Sequence, residues 1–368
     1  MPHLTGLAEI RSPSAARMVI DGREVLNFGG SSYLGLSGHP ELIEAGAEAV
    51  RALGSTSQLP RHYGLALSAN LDAEAEAQAF FGQGGAIYFA TGYMFGLLVC
   101  QGLADAFDVA LIDESGHWNL FDGARAAQKR VRTFRHRDAE DLARALAEEC
   151  ADGSRPLVAT DGMFATFGTS PPLDAYSAVI APYDGWLVVD ESHSFGSLGE
   201  AGRGACELFG VEGPRTIAGG SMGKAFCAHG GLAVGSADTI ARLWSSSAAK
   251  GSVSGTSMGA AMTAAALRHV RTHPERLARL RRNGQALKAM LRSLGLAPVD
   301  NSSSVAAFEH GPAAKMKSIQ AALWDAGIFV IYSTYVGAGP EGALRIAAFA
   351  DHDEGDFVRL GEELSKLL

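Results

Sequence analysis

Short apolar runs recur along the first two-thirds of this 368-residue chain: AIYFA at 86–90, VALID at 109–113, PLVAT at 156–160, WLVVD at 186–190, TIAGG at 216–220 and GLAVG at 231–235. Each is about one strand long and apolar on both faces, as strands buried in a parallel sheet are. Helical patterns separate several of them, as in DAEDLARALAEEC from Asp138. This alternation predicts an α/β domain with a mainly parallel sheet. An earlier helix is predicted from HPELIEAGAEAVRALG, with Pro40 at its start, Gly54 at its stop and Ile43, Ala47 and Val50 on one face.

Beyond about residue 260 the rhythm changes. GAAMTAAALRHVRTH and PERLARLRRNGQALKAMLRSLG read as long helices, followed by short strands near 303–308 and 328–332. A last helix places Phe357, Leu360, Leu364 and Leu367 on one stripe. The expected organisation is a large α/β domain over 41–260, a smaller α+β domain over 261–368, and residues 1–40 packing with the smaller one.

Composition excludes several classes of partner. With 47% apolar and 19% charged residues the chain is globular rather than disordered. A net charge of −9 without a Lys/Arg run argues against nucleic acid and anionic membrane surfaces. No apolar run approaches the ~20 residues of a membrane helix. The opening MPHLTGLAEIR has no signal-peptide pattern. Cys100, Cys150, Cys206 and Cys227 are far apart with no CxxC, which reads as reduced thiols in a cytoplasmic protein.

The unusual polar residues follow the apolar runs. VALID leads into ESGHWNL and His117; WLVVD ends in Asp190 and leads to His193; TIAGG leads into SMGK and Lys224; AIYFA leads into TGYMFG, a turn and a helix start. In open α/β sheets ligands bind beyond the carboxyl ends of the strands, so four such ends are expected to open on one crevice. A phosphate loop is excluded: Ala218 stands where its first Gly belongs and Ala225 where its hydroxyl belongs. Nor does any His/Cys spacing suggest a metal.

A lysine buried among small apolar residues becomes a nucleophile toward carbonyls. Lowering its pKa from ~10.4 to ~7.5 costs about 4 kcal/mol, which implies a use such as a Schiff base. Pyridoxal phosphate supplies the aldehyde, and its needs match the set. Asp190 suits the pyridine nitrogen. The helix start at TGYMFG (Thr91, Gly92, Tyr93, Met94) and the Ser221 hydroxyl suit the phosphate. His117 suits the ring face, and His193 the phenolic oxygen.

SSYLGLSGHP, DESGHWNLFDGAR, VVDESHSFGSLGEAGRG and GGSMGKAF together resemble the α-oxoamine synthases, fold-type-I pyridoxal-phosphate enzymes, over nearly the whole chain. The resemblance implies an aspartate-aminotransferase-like fold with a large, mainly parallel seven-stranded sheet. It implies that Lys224 holds the cofactor and moves the substrate Cα proton, that Tyr93 and Met94 offer N–H groups to the phosphate, and that Arg345 binds the amino-acid carboxylate. It implies that Thr256 and Ser257 reach the phosphate of a neighbouring subunit, hence a homodimer with shared active sites. The implied reaction condenses an amino acid with an acyl thioester, on CoA or a carrier protein, and releases CO2 and an α-aminoketone.

The substrate-side residues depart from the family pattern. The helical leader is short, and Ser31-Ser32 replaces Asn-Asp. Ala165 replaces a serine, Phe167 an acid, and Gly259-Ala260 a Pro-Pro pair. GSTSQLPRHYG brings Arg61, His62 and Tyr63 to a place where the family has GSGGSR, so His62 and Tyr63 are expected to line the substrate pocket. These departures point to a carrier-bound acyl donor or an electrophile other than a thioester. The alternatives are an aminotransferase, a retro-aldol or decarboxylating enzyme on the same scaffold, or a non-catalytic regulator domain.

Overall fold

The apolar runs assemble into one seven-stranded sheet. The computed structural model describes residues 7–335 and 337–368. Two compact units emerge: a larger one of Pro40–Met163 and Ser170–Thr272, and a smaller one formed by the segment ending at His39, Phe164–Thr169 and His273–Leu368.

Within the larger unit the strands are β1 Gly85–Phe89, β2 Val109–Asp113, β3 Arg130–Phe134, β4 Pro156–Asp161, β5 Trp186–Asp190, β6 Thr216–Ser221 and β7 Gly231–Gly235. They lie in the order β1-β7-β6-β5-β4-β2-β3. β2 to β6 pair parallel, whereas β7 runs antiparallel to both β1 and β6. β1 to β6 therefore share one direction and end on one edge of the sheet. The register sets Asp161 of β4 beside Asp190 of β5, and Asp190 beside Gly219 of β6.

The helices of this unit are α1 Pro40–Leu53, α2 Ser68–Phe81, α3 Phe95–Gly102, α4 Trp118–Ala126, α5 Ala139–Glu149, α6 Leu173–Ile180, α7 Ala205–Phe209, α8 Ala237–Leu243, α9 Ser247–Gly251 and α10 Ser257–Thr272. Phe95 and Leu98 of α3 are buried with Ile87, Ile112 and Val188 of the sheet. The boundary expected near residue 260 falls after Thr272, because α10 packs on α1 and α2. The face that Ile43, Ala47 and Val50 share is not the one that α1 buries. Leu42, Gly46 and Ala49 are buried, whereas Ile43 and Val50 are exposed. Gly46 makes this packing possible: a Cβ there would lie 3.0 Å from Met258 and Met262.

The smaller unit holds two three-stranded sheets. In one, the hairpin of Arg17–Ile20 and Arg23–Asn27 is extended by Ile328–Phe329, parallel to the second strand. In the other, Ala343–Ala347 pairs antiparallel with Val305–Phe308 and Ile331–Ser333. Helices Pro274–Ser293, Ala313–Asp325 and Glu354–Ser365 cover them, and Phe357, Leu360 and Leu364 are buried as the stripe predicts. No helix among the described residues is long and apolar enough to cross a membrane.

Candidate active site

Five strands of the larger unit deliver polar groups to one sheet edge. β5 ends in Asp190, only 3% exposed. Its Oδ1 accepts the Ser192 N–H at 3.0 Å and its Oδ2 accepts an Asn119 Nδ2–H at 2.7 Å. These partners are neutral, and a carboxylate has lone pairs for more than two donors. The remaining lone pairs of this buried carboxylate suit a cationic N–H partner.

His117 follows β2 and caps α4: its Nδ1 accepts the Asn119 N–H at 3.2 Å. Its own N–H donates to Asp161 Oδ1 at 2.9 Å. Tyr93 meets the half-buried imidazole edge-on, with ring centroids 5.7 Å apart. Burial depresses the His117 pKa below the ordinary histidine value. Asp190 and Asp122 pull it up, and Lys224 adds to the depression.

Asp161, at the end of β4, is a site residue that the sequence reading missed. It is 7% exposed. Burial and then the neighbouring Asp190 push its carboxyl well above the usual carboxylate range. The strand PLVAT was legible, but only the register sets its next residue beside Asp190.

Lys224 lies on a turn after β6. The turn is tied by Met222 N–H to Gly230 O at 3.1 Å, Ala228 N–H to Met222 O at 3.0 Å and Cys227 N–H to Lys224 O at 3.0 Å. The ammonium acts electrostatically on both His117 and Asp161. Lys224 is half-buried rather than buried. The desolvation argument is corrected to that extent, because the turn leaves Gly223 and part of the side chain in solvent. His193 is half-buried three residues after Asp190, and its carbonyl accepts the Ser197 hydroxyl at 2.8 Å.

The turn after β1 abuts β6. A Cβ on Gly92 would lie 2.5 Å from Ser221 Cα, so only glycine permits this approach. Thr91 is exposed and extended at the head of the Gly92–Met94 turn. The Met94 N–H donates to Thr91 O at 3.0 Å. The donors at the turn's open end are therefore those of Gly92 and Tyr93, not Tyr93 and Met94. Ser221 Oγ accepts the Gly223 N–H at 3.1 Å and keeps its proton to donate. The two N–H groups of this turn and the Ser221 hydroxyl beside Gly92 suit a phosphate. Together with a buried carboxylate and an accessible lysine, this donor set fits pyridoxal phosphate.

Other expectations separate from this group. Ser257 is fully buried, its N–H donates to Ser55 O at 2.9 Å and its hydroxyl donates to Gly54 O. Both donors of Ser257 are thus engaged within its own chain. Thr256 is half-buried and its Oγ1 accepts the Gly259 N–H at 3.0 Å, a helix cap. His62 and Tyr63 are exposed, and His62 contacts Tyr63 edge-on at 5.7 Å. Arg61 instead pairs with buried Glu74 at 2.5 Å and lies over Trp244 at 4.1 Å.

In the smaller unit, Arg345 is 6% exposed on Ala343–Ala347. Its guanidinium donates to Ala165 O at 2.6 Å, Gly30 O at 2.8 Å and the Tyr33 hydroxyl at 3.1 Å. Among the described residues its partners are all neutral, and two of its five N–H donors remain. A buried guanidinium with donors to spare suits a carboxylate. Ser31 is half-buried one residue after Gly30, and Ala165 and Phe167 are half-buried in the same unit.

The model of the aminotransferase class I and II family matches residues 23–364. The 8-amino-7-oxononanoate synthase of Cellvibrio japonicus is 33% identical, over 98% of this chain and 90% of its own length. The protein of that name from Methylococcus capsulatus is 34% identical, over 97% and 92%. This chain belongs to the α-oxoamine synthases. Solved structures share the fold of this synthase. A Sphingomonas wittichii serine palmitoyltransferase superposes with a TM-score of 0.91 at 24% identity, covering 98% of this chain and 91% of that one. An 8-amino-7-oxononanoate synthase from Francisella tularensis gives 0.76 at 22%, covering 93% and 97%. The α-oxoamine synthase described here is a pyridoxal-phosphate-dependent acyltransferase.

Proposed function

We propose that Lys224, Asp190, His117, Ser221 and Arg345 carry out the decarboxylative condensation of an amino acid with an acyl thioester, giving an α-aminoketone. The observation that carries this reading is the convergence of Asp190, His117, Lys224 and the Gly92–Ser221 contact on one sheet edge. Bound pyridoxal phosphate supplies an electron-withdrawing ring that stabilises negative charge at the substrate Cα.

Lys224 Nζ would hold the cofactor and would move the proton at the substrate Cα. Asp190 pairs with the ring nitrogen and keeps it protonated. His117 would cover the ring face, His193 would serve the phenolic oxygen, and Gly92, Tyr93 and Ser221, with Thr91, would hold the phosphate. Arg345 orients the amino-acid carboxylate that leaves as CO2. Ala165 supplies one of its two carbonyl anchors and Ser31 follows the other, Gly30, so these two departures from the family pattern fall on the segments that aim this arginine. They set which amino acid is taken, while the acyl group arrives on CoA or on a carrier protein.

A homodimer is part of the proposal. Ile43 and Val50 are exposed on one side of α1, and Met258 is exposed at the start of α10. An apolar face of this kind suits a second copy. Cys100, Cys150 and Cys206 are buried thiols with no disulfide, which supports a reducing, cytoplasmic setting.

Borohydride reduction followed by digestion and mass spectrometry tests the site: the cofactor mass belongs on the Lys224 peptide, and Lys224→Ala should stay folded without it. An adduct in that variant sinks the assignment. An amino-acid screen with acyl thioesters tests the reaction by thiol release. Conversion of the cofactor to its amine form without thiol release would favour the aminotransferase alternative.

A further inference from the structure

The side chain of Asn119 touches three parts of the site at once. Its Oδ1 accepts the Gly96 N–H of α3 at 3.0 Å. That backbone donor fixes which end of the amide is oxygen. Nδ2 must then be the end that faces Asp190 Oδ2 at 2.7 Å and His117 Nδ1 at 2.7 Å. The carboxylate is an acceptor, so this orientation is consistent on all three sides. His117 Nδ1 thus faces two donors, the Asn119 amide NH2 and the Asn119 backbone N–H. A ring nitrogen that accepts twice carries no proton, so the proton of the neutral ring sits on Nε2.

The surroundings leave no slack for another arrangement. A Cβ on Gly96 would lie 2.7 Å from Asn119 Oδ1, and one on Gly123 would strike the Gly96 carbonyl. α3 and α4 are therefore pressed together around this amide, and Asn119 is 2% exposed.

We propose that Asn119 is a positioning residue that locks His117 in its Nε2–H tautomer and binds the Asp190 carboxylate, so that the ring-face contact, the ring-nitrogen contact and the phosphate-binding turn are held as one piece. This rests on reading His117 and Asp190 as cofactor contacts. Asn119 itself touches neither substrate nor cofactor; it acts through its partners. Its amide is neutral and leaves Asp190 its full charge for the ring nitrogen. The charged groups acting on His117 are Asp190 and Asp122, which favour the imidazolium, and Lys224, which opposes it. Asp161 accepts its backbone N–H, and Tyr93 meets its ring.

The test is nitrogen NMR of the full-length enzyme with histidine labelled, with and without cofactor, the signal assigned by its loss in His117→Asn. The expected result is an unprotonated Nδ1 and a protonated Nε2 in both states. A proton on Nδ1 overturns the proposal, and this needs no variant that could misfold. In Asn119→Ser and Asn119→Ala the tautomers should mix and His117 should titrate at higher pH. Cofactor should dissociate ~10- to 100-fold faster, the cost of a lost hydrogen bond to a charged group. Asn119→Asp keeps the acceptor for Gly96 but sets a carboxylate against Asp190, and should release cofactor fastest of the three. Unchanged tautomer and dissociation rate in folded variants overturn the proposal. If instead the tautomer is as stated but Asp190→Asn retains cofactor like the wild type, the site reading fails and the lock on His117 stands.

Discussion

Asp161 and Asp190 are register partners at the ends of adjacent parallel strands, and both carboxyl groups are buried. Burial and the Asp190 charge raise the Asp161 pKa well above 3.8. The folded state then holds this proton more tightly than the unfolded chain does. Its contribution to stability is complete below the unfolded value and is lost as pH rises through the folded one. Asp161→Asn should therefore gain stability over the cofactor-free wild type as pH rises from acidic to neutral, with the two converging near pH 4. Melting temperatures across that range check the sign; a gap that widens toward acid would contradict it.

Arg345 spends three N–H donors on two carbonyls and a hydroxyl. A lysine cannot reproduce that fork. Arg345→Lys is expected to weaken amino-acid binding by about 100-fold, the scale of a lost charge-assisted pair. Binding of the corresponding amine without its carboxylate should barely change. Titration of the holoenzyme absorbance with both ligands separates the two, and an equal loss for both would point to general damage.

Arg61 and Glu74 form a nearly buried pair, and Glu74 Oε1 also accepts the Tyr88 N–H at 3.0 Å. Removing the cation strands a buried carboxylate. Arg61→Ala should cost roughly 3 kcal/mol or more, and adding Glu74→Gln should recover part of it. His62→Ala, on the exposed side of the same turn, should be near neutral. Urea denaturation of the four proteins decides whether this departure from the family pattern is structural.

Gly220 has φ +150°, and a Cβ there would lie 2.4 Å from Ser192 Oγ and 2.8 Å from Asp190 Oδ1. Ser192 Oγ in turn accepts the Ser221 N–H at 2.8 Å. Gly220→Ala should displace the carboxylate and the phosphate-binding serine together. Faster cofactor loss on dialysis is the expected outcome, with circular dichroism to confirm folding.

The six apolar runs proved legible because buried strands need unbroken apolar sequence, and all six end within one residue of the expected position. Arg130–Phe134 was missed because it is an edge strand whose first four residues are exposed, so RVRTF carries no apolar run. The inner face of α1 was not legible, because Gly46 and Ala49 make much of the contact beside Leu42 while Ile43 and Val50 face outward. Within the site, the residues at strand ends were legible one by one. Asp161 and Asn119 were not, since their importance lies in register and in a helix-to-helix contact that no local pattern encodes.

The smaller unit is stitched from three stretches of chain that lie far apart in sequence. Its N-terminal strand Arg23–Asn27 takes its parallel neighbour from Ile328–Phe329, some 300 residues later. During synthesis that edge waits, unpaired, while nearly the whole chain emerges. The larger unit is complete by Thr272 and can form first; the smaller cannot close until the C-terminal helix has left the ribosome. Nascent molecules interrupted in the last hundred residues would thus carry a formed cofactor domain beside an exposed strand edge, a species suited to chaperone capture or aggregation.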